Sequence, residues 1–105
     1  MMDWSLFLDD ERYPPNDTLE ANWKIARSAD DAMYYIRTYG LPIYMSLDHD
    51  MGFMNMTGMD FCKVLCNYLM DNDRSVPKYY VHSQNPVGAE NMRKYLAKYS
   101  ELHTV

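Results

Sequence analysis

Hydrophobic positions along the chain alternate between short dense runs and longer stretches at helical spacing. Trp4-Ser5-Leu6-Phe7-Leu8 is an apolar run that stops at Asp9-Asp10-Glu11-Arg12 and predicts a buried strand. Tyr13-Pro14-Pro15-Asn16-Asp17 predicts a turn or extended loop, because both prolines remove donors and fix the backbone. Trp23-Lys24-Ile25-Ala26-Arg27 alternates and predicts a second, flanking strand. Ser28 with Asp31 is a helix-start signal; Ala29, Ala32, Met33 and Ile36 recur at helical spacing, and Gly40 and Pro42 end the element. Ile43 to Leu47 predicts a third strand, stopping at Asp48-His49-Asp50. Thr57 with Asp60 repeats the capping pattern ahead of an apolar stripe at Phe61, Val64, Leu65, Tyr68 and Leu69. Tyr79-Tyr80-Val81 predicts a fourth strand, introduced by Pro77 and stopped by His82-Ser83-Gln84-Asn85. Asn85-Pro86 then opens a last helix as N-cap and first-turn proline, with Met92, Tyr95, Leu96 and Tyr99 on its buried face.

Helices long enough to cross over between strands imply parallel pairing and right-handed connections. The expected fold is therefore α/β, a three-layer sandwich of about four parallel strands with three helices, in one domain over residues 1–105. Composition fits: 48% hydrophobic and 24% charged residues are enough for a core without suggesting disorder. Ten Lys and Arg against fifteen Asp and Glu give a net charge of −5. Neither general nucleic-acid binding nor an anionic membrane is then expected, and an anionic ligand needs a metal ion or a local basic group. No apolar run is long enough for a bilayer, and Met1-Met2-Asp3-Trp4 lacks the basic-then-apolar start of a signal peptide. Cys62 and Cys66 lie four apart in a helical pattern, which suits reduced thiols and a cytoplasmic location better than a disulfide.

The chemistry collects at strand ends. Asp9-Asp10-Glu11-Arg12, Asp48-His49-Asp50 and His82-Ser83-Gln84-Asn85 all follow strands, and ligands of open parallel sheets bind outside the carboxyl ends of strands. Leu8-Asp9-Asp10-Glu11-Arg12 with Pro14-Pro15, Ser46-Leu47-Asp48-His49-Asp50 with Gly52 and Thr57-Gly58, and His82-Ser83-Gln84-Asn85-Pro86 together resemble the cyclic-phosphate processing receiver-like domain family. The resemblance runs from the first strand to the last helix. It implies a flavodoxin-like fold, a shortened response-regulator receiver of bacteria or their phages. It also implies action on cyclic phosphates and a site at Asp9, Asp10, Asp48, His49, Asp50 and His82. Against a true phospho-receiver, Asp9 and Asp10 look like the metal-binding acidic pair, Asp48 like the phosphoacceptor and Ser83 like the hydroxyl residue. The fifth strand and its lysine have no counterpart, Lys94 and Lys98 fall on the last helix, and His49 and His82 have no receiver role.

Charge sets the next expectation. Asp9, Asp10, Asp48 and Asp50, brought together, repel one another at low dielectric unless a cation sits among them, one takes up a proton, or several face water. Mg²⁺ or Mn²⁺ suits such oxygen ligands, and Mn²⁺ also accepts His49 or His82. Asp9 and Asp48 are the better ligands; Asp10 or Asp50 could instead cap a turn. His49 and His82 could divide acid and base roles in opening a cyclic phosphate, or each could be a structural hydrogen-bonding residue. Arg12 could clamp a phosphate oxygen or merely pair with Glu11, Asp9 or Asp50. Ser83 and Asn85 could contact substrate, although hydrogen bonding and helix capping are their ordinary uses. Met51, Phe53, Met54 and Met56 around Gly52 could close over a ring or pack on the body. His103 is expected to be an exposed tail residue.

The leading expectation is a metal-assisted phosphoesterase, a hydrolase of a cyclic nucleotide or a terminal cyclic phosphate. Asp9 and Asp48 would hold the metal, Asp10 and Asp50 support it, His49 and His82 serve as acid and base, and Arg12 hold the phosphate. The alternatives are a receiver-like binding or signalling module without turnover, and a phage protein that sequesters a cyclic-nucleotide signal in an infected bacterium.

Overall fold

The computed structural model describes residues 3–14, 22–50 and 57–103. Its elements are β1 (Ser5–Leu8), β2 (Trp23–Ala26), α1 (Ala29–Tyr39), β3 (Tyr44–Leu47), α2 (Gly58–Asp71), β4 (Lys78–Val81) and α3 (Pro86–Leu102). The strands form one parallel sheet in the order β2-β1-β3-β4. The helix starts are those the side chains specify. Ser28 accepts a hydrogen bond from the Asp31 amide, and Thr57 and Asp60 form a reciprocal capping box. Asn85 accepts from the Gly88 amide ahead of Pro86. The segment holding Met51, Phe53, Met54 and Met56 lies outside the described residues, as do Pro15, Asn16 and Asp17.

Parallel four-stranded pairing and three helices agree with the expected receiver-like α/β fold. Among the described residues, α1, α2 and α3 pack on one face of the sheet. Trp4, Leu6 and Leu8 join Met45, Leu47 and Val81 with the buried sides of α1, α2 and α3 in a single core cluster. Connection direction explains it. In the order β2-β1-β3-β4, the β2-to-β3 and β3-to-β4 crossovers both run the same way across the sheet. Right-handed connections then put both helices on the same side. The β1-to-β2 connection runs the opposite way, and its described residues Arg12 and Tyr13 lie at the other face. That face carries Ser5, Phe7, Trp23, Tyr44, Ser46 and Tyr80 by strand alternation.

On α2 the stripe is carried by Phe61, Cys62, Leu65, Cys66 and Leu69, while Val64 is exposed. Both cysteines are free and buried; burial pushes Cys62 up to about 12 and Cys66 up to about 11, leaving inert core thiols. His103 is not an exposed tail residue: it ends α3, half-buried and stacked on Tyr99.

Gly58 brings α2 tightly onto the end of β3. Its amide donates to the His49 carbonyl at 2.8 Å. A Cβ there would overlap the Asp48 carbonyl oxygen and lie 2.6 Å from Met92 Cε. Gly58→Ala must therefore move backbone beside the polar edge. Thermal unfolding should show a fall of roughly 5–15 °C, the cost of a forced overlap in a packed domain of this size.

Candidate active site at the carboxyl edge of the sheet

Register places the site. Leu8 pairs with Ala26 and Leu47, and Leu47 pairs with Val81, so each strand ends at the same level. The ladder continues one residue further. Asp9, Asp48 and His82 donate their amides to Ala26, Leu8 and Leu47 at 3.1, 3.0 and 2.9 Å. Alternation turns all three side chains to the face opposite α1, α2 and α3. Asp9 is fully buried and Asp48 is 3% exposed. One ligand-type atom from each of Asp9, Asp48 and His82 lies within 4.8 Å of the others.

The Asp9 carboxylate organises its surroundings. Oδ1 accepts from the amides of Glu11 and Arg12, both at 2.9 Å, which turns the chain sharply after β1. Oδ2 accepts from His82 Nε2 at 2.9 Å, with Arg12 Nε 3.5 Å away. Because a carboxylate only accepts, Nε2 carries the proton. His82 Nδ1 meets Ser46 Oγ at 2.7 Å, and Phe7 stacks on the imidazole at 4.8 Å and 5°. Arg27 holds the turn from outside, donating to the carbonyls of Asp9 at 3.1 Å and Arg12 at 2.6 Å.

The two buried acids are pushed apart. Burial raises Asp9, but the Arg12 and Glu11 amides and the His82 bond and charge outweigh it, and its carboxyl ends below the ordinary value. Asp48 is raised, first by burial and then by the Asp9 charge, with His82 and Arg12 compensating only in part. Two acids and an imidazole converging with an uncompensated charge could hold a divalent metal ion, and the donor set suits Mg²⁺ or Mn²⁺.

Other expected site residues fall elsewhere. His49, one residue beyond Asp48, turns the opposite way; its ring packs over Gly88 of α3 and Nδ1 bonds Asp50 at 2.8 Å. The expected pairing of His49 and His82 at one phosphate is thus not assembled. Asp50 is exposed and tied to His49 and Asn85, and the His49 hydrogen bond lowers its carboxyl. Among the described residues, Asp10 and Asp50 do not join the cluster. Ser83 accepts from the Asn85 amide at 3.0 Å, and Asn85 caps α3, so both shape the helix start. Of the expected set, Asp9, Asp48, His82 and Arg12 come together.

A cavity of about 320 Å³ opens beside them, lined by Phe7, Arg12, Tyr13, Trp23, Tyr44, Ser46, Tyr80 and His82. Sequence reading missed Ser46, Arg27 and these aromatic residues. The signal was the two-residue alternation, which puts Phe7 with Asp9, Ser46 with Asp48, and Tyr80 with His82.

The model of the cyclic-phosphate processing receiver domain matches residues 4–98, from Trp4 to Lys98. The chain belongs to that family. No curated protein and no solved structure matches it. For this receiver domain, the match runs from β1 into α3 and takes in each residue of the Asp9, Asp48 and His82 cluster.

Because the folded Asp48 carboxyl is raised above 3.8, the unfolded chain loses that proton first as pH rises. Ionised Asp48 therefore costs the metal-free receiver domain stability, increasingly from about pH 4 upward and fully above its folded value. Asp9 has the opposite sign: its contribution is present above 3.8 and is lost as pH falls through its lowered value. In chelator-treated protein, Asp48→Asn should unfold a few °C higher than wild type at neutral pH. The difference should vanish near pH 3, as measured by scanning calorimetry.

Proposed function

We propose that the domain hydrolyses a cyclic phosphate, with Asp9 and Asp48 holding a divalent cation and His82 carrying the proton. The observation behind this reading is the Asp9, Asp48 and His82 cluster, whose His82 lines a cavity together with Arg12. Mg²⁺ or Mn²⁺ bound there supplies positive charge against a phosphoryl oxygen and offsets the repulsion between the two acids. The Arg12 side chain, 42% exposed, is free to hold a second phosphate oxygen while its amide stays anchored to Asp9. Opening the ring adds water at phosphorus, breaks one ring P–O bond and gives a phosphomonoester; the departing oxygen takes a proton. Imidazole suits that transfer near neutral pH, and Nε2 of His82 already holds a proton against Asp9 Oδ2. Asp9 fixes the ring orientation, and Ser46 completes the hydrogen bonding at Nδ1.

Binding without turnover is the second reading. Its support is that both ring nitrogens of His82 are engaged within the protein, as in a rigid recognition site. Phosphorus NMR on a set of 2′,3′- and 3′,5′-cyclic phosphates, with and without Mg²⁺ or Mn²⁺, separates the two. Hydrolysis produces a new phosphomonoester resonance only with metal; binding alone broadens or shifts the cyclic resonance. His82→Asn should cut the hydrolysis rate by roughly a hundredfold or more with a much smaller change in KM. Saturating Mg²⁺ or Mn²⁺ should raise the Tm of wild type by mass action, and Asp48→Asn should lose most of that gain.

A further inference from the structure

The aromatic wall of the cavity has no part in the proposed phosphate chemistry, yet it adjoins Arg12 and His82. It lies on the face opposite α1, α2 and α3, where residue size varies across the strands. Ser46 sits between Phe7 on β1 and Tyr80 on β4, so a small side chain is flanked by rings. The His82 imidazole, stacked on Phe7 and bonded to Ser46, occupies the Phe7 side of the gap between those rings, so the open ring surface lies towards Tyr80, Tyr44 and Trp23. Trp23 closes another side. Its ring stands edge-on to Phe7 at 5.7 Å and to Tyr44 at 6.0 Å, which holds it in place. Tyr80 is 59% exposed and Trp23 and Tyr44 are half-buried, so aromatic surface remains for a ligand. Arg12, Ser46 and His82 meet at the Asp9 side of the cavity, joined by the Asp9 carboxylate and the Ser46–His82 hydrogen bond. Among the described lining residues the formally charged one is the cation Arg12, in a chain of net charge −5. This layout suits a ligand with a flat ring at one end and an anion at the other.

We propose that the cavity is a nucleobase subsite: the base of a nucleoside cyclic phosphate stacks against Trp23, Tyr44 and Tyr80 while its phosphate meets Arg12 and His82. The inference rests on the proposed cyclic-phosphate reading and narrows its substrate class to nucleotides, as opposed to cyclic phosphates of bare sugars or polyols. Stacking on an aromatic platform tolerates any base, because every base has a π-face, so affinity should depend on the presence of a base more than on its identity.

Calorimetric titration tests this with three probes: adenosine 2′,3′-cyclic phosphate, methyl riboside 2′,3′-cyclic phosphate, which lacks the base, and adenosine, which lacks the phosphate. The expected result is binding of the adenosine cyclic phosphate about tenfold or more tighter than the baseless probe, with quenching of Trp23 fluorescence. In Trp23→Ala the gap between the two cyclic phosphates should close to less than about threefold. Tyr80→Ala, a change at an exposed side chain, should narrow the gap in the same direction and guards against a misfolded Trp23 variant. Equal affinity for the two cyclic phosphates in wild type overturns the base subsite and leaves the cyclic-phosphate reading standing. Binding of adenosine with no binding of either cyclic phosphate supports the subsite and overturns the cyclic-phosphate reading. If none of the three probes binds, both are wrong.

Discussion

A fully buried carboxylate, Asp9, is the constraint around which the polar edge is built. Burying that charge is tolerable only if its oxygens are satisfied, and they are: two backbone amides on Oδ1 and the His82 Nε2 proton on Oδ2. Each bond has a consequence. The amides of Glu11 and Arg12 turn the chain off β1, so that Arg12 returns over the edge of the sheet. The imidazole is fixed in direction and tautomer, with Ser46 and Phe7 holding its other nitrogen and its face. Asp48, one strand away, then meets a negative charge that is already committed and is left as the acid that is costly to ionise. A group of this kind, destabilising for the fold and convergent with another acid and an imidazole, is the usual mark of a functional site.

The topology supplies the setting. Both helical crossovers run the same way across the sheet, so α1, α2 and α3 share one core. The other face of the sheet meets Arg12 and Tyr13 among the described residues. Rings from several strands are therefore available to a ligand beside the acids. The phosphate chemistry proposed for the edge and the aromatic surface proposed for a base are consequences of the same connection order.

Much of this was legible in the sequence. Each strand was visible as an apolar run halted by polar residues, and Ser28, Thr57 and Asn85 marked the helix starts that the structure contains. Convergence of Asp9, Asp48 and His82 followed from parallel strands ending at one edge. The side of the sheet taken by each described helix was not legible, because it depends on strand order, which local pattern does not encode. Nor was the separation of His49 from His82 drawn from the pattern. Neighbours in an extended chain face opposite ways, so Asp48 enters the cluster while His49 packs on Gly88. Counting the polar residues at each strand end grouped them; following alternation back along the strands would have divided them. The same alternation would have picked out Ser46 and the aromatic wall.

The central claim is that Asp9, Asp48 and His82 behave as one electrostatic unit. Carboxyl-detected NMR titration of Asp9 and Asp48, in wild type and His82→Asn and with and without Mg²⁺, measures it directly. Without metal, Asp9 should titrate below 3.8 and Asp48 above it; His82→Asn should move both upward, and Mg²⁺ should bring Asp48 down. Two carboxyls titrating near 3.8, indifferent to both the substitution and the metal, would contradict the account.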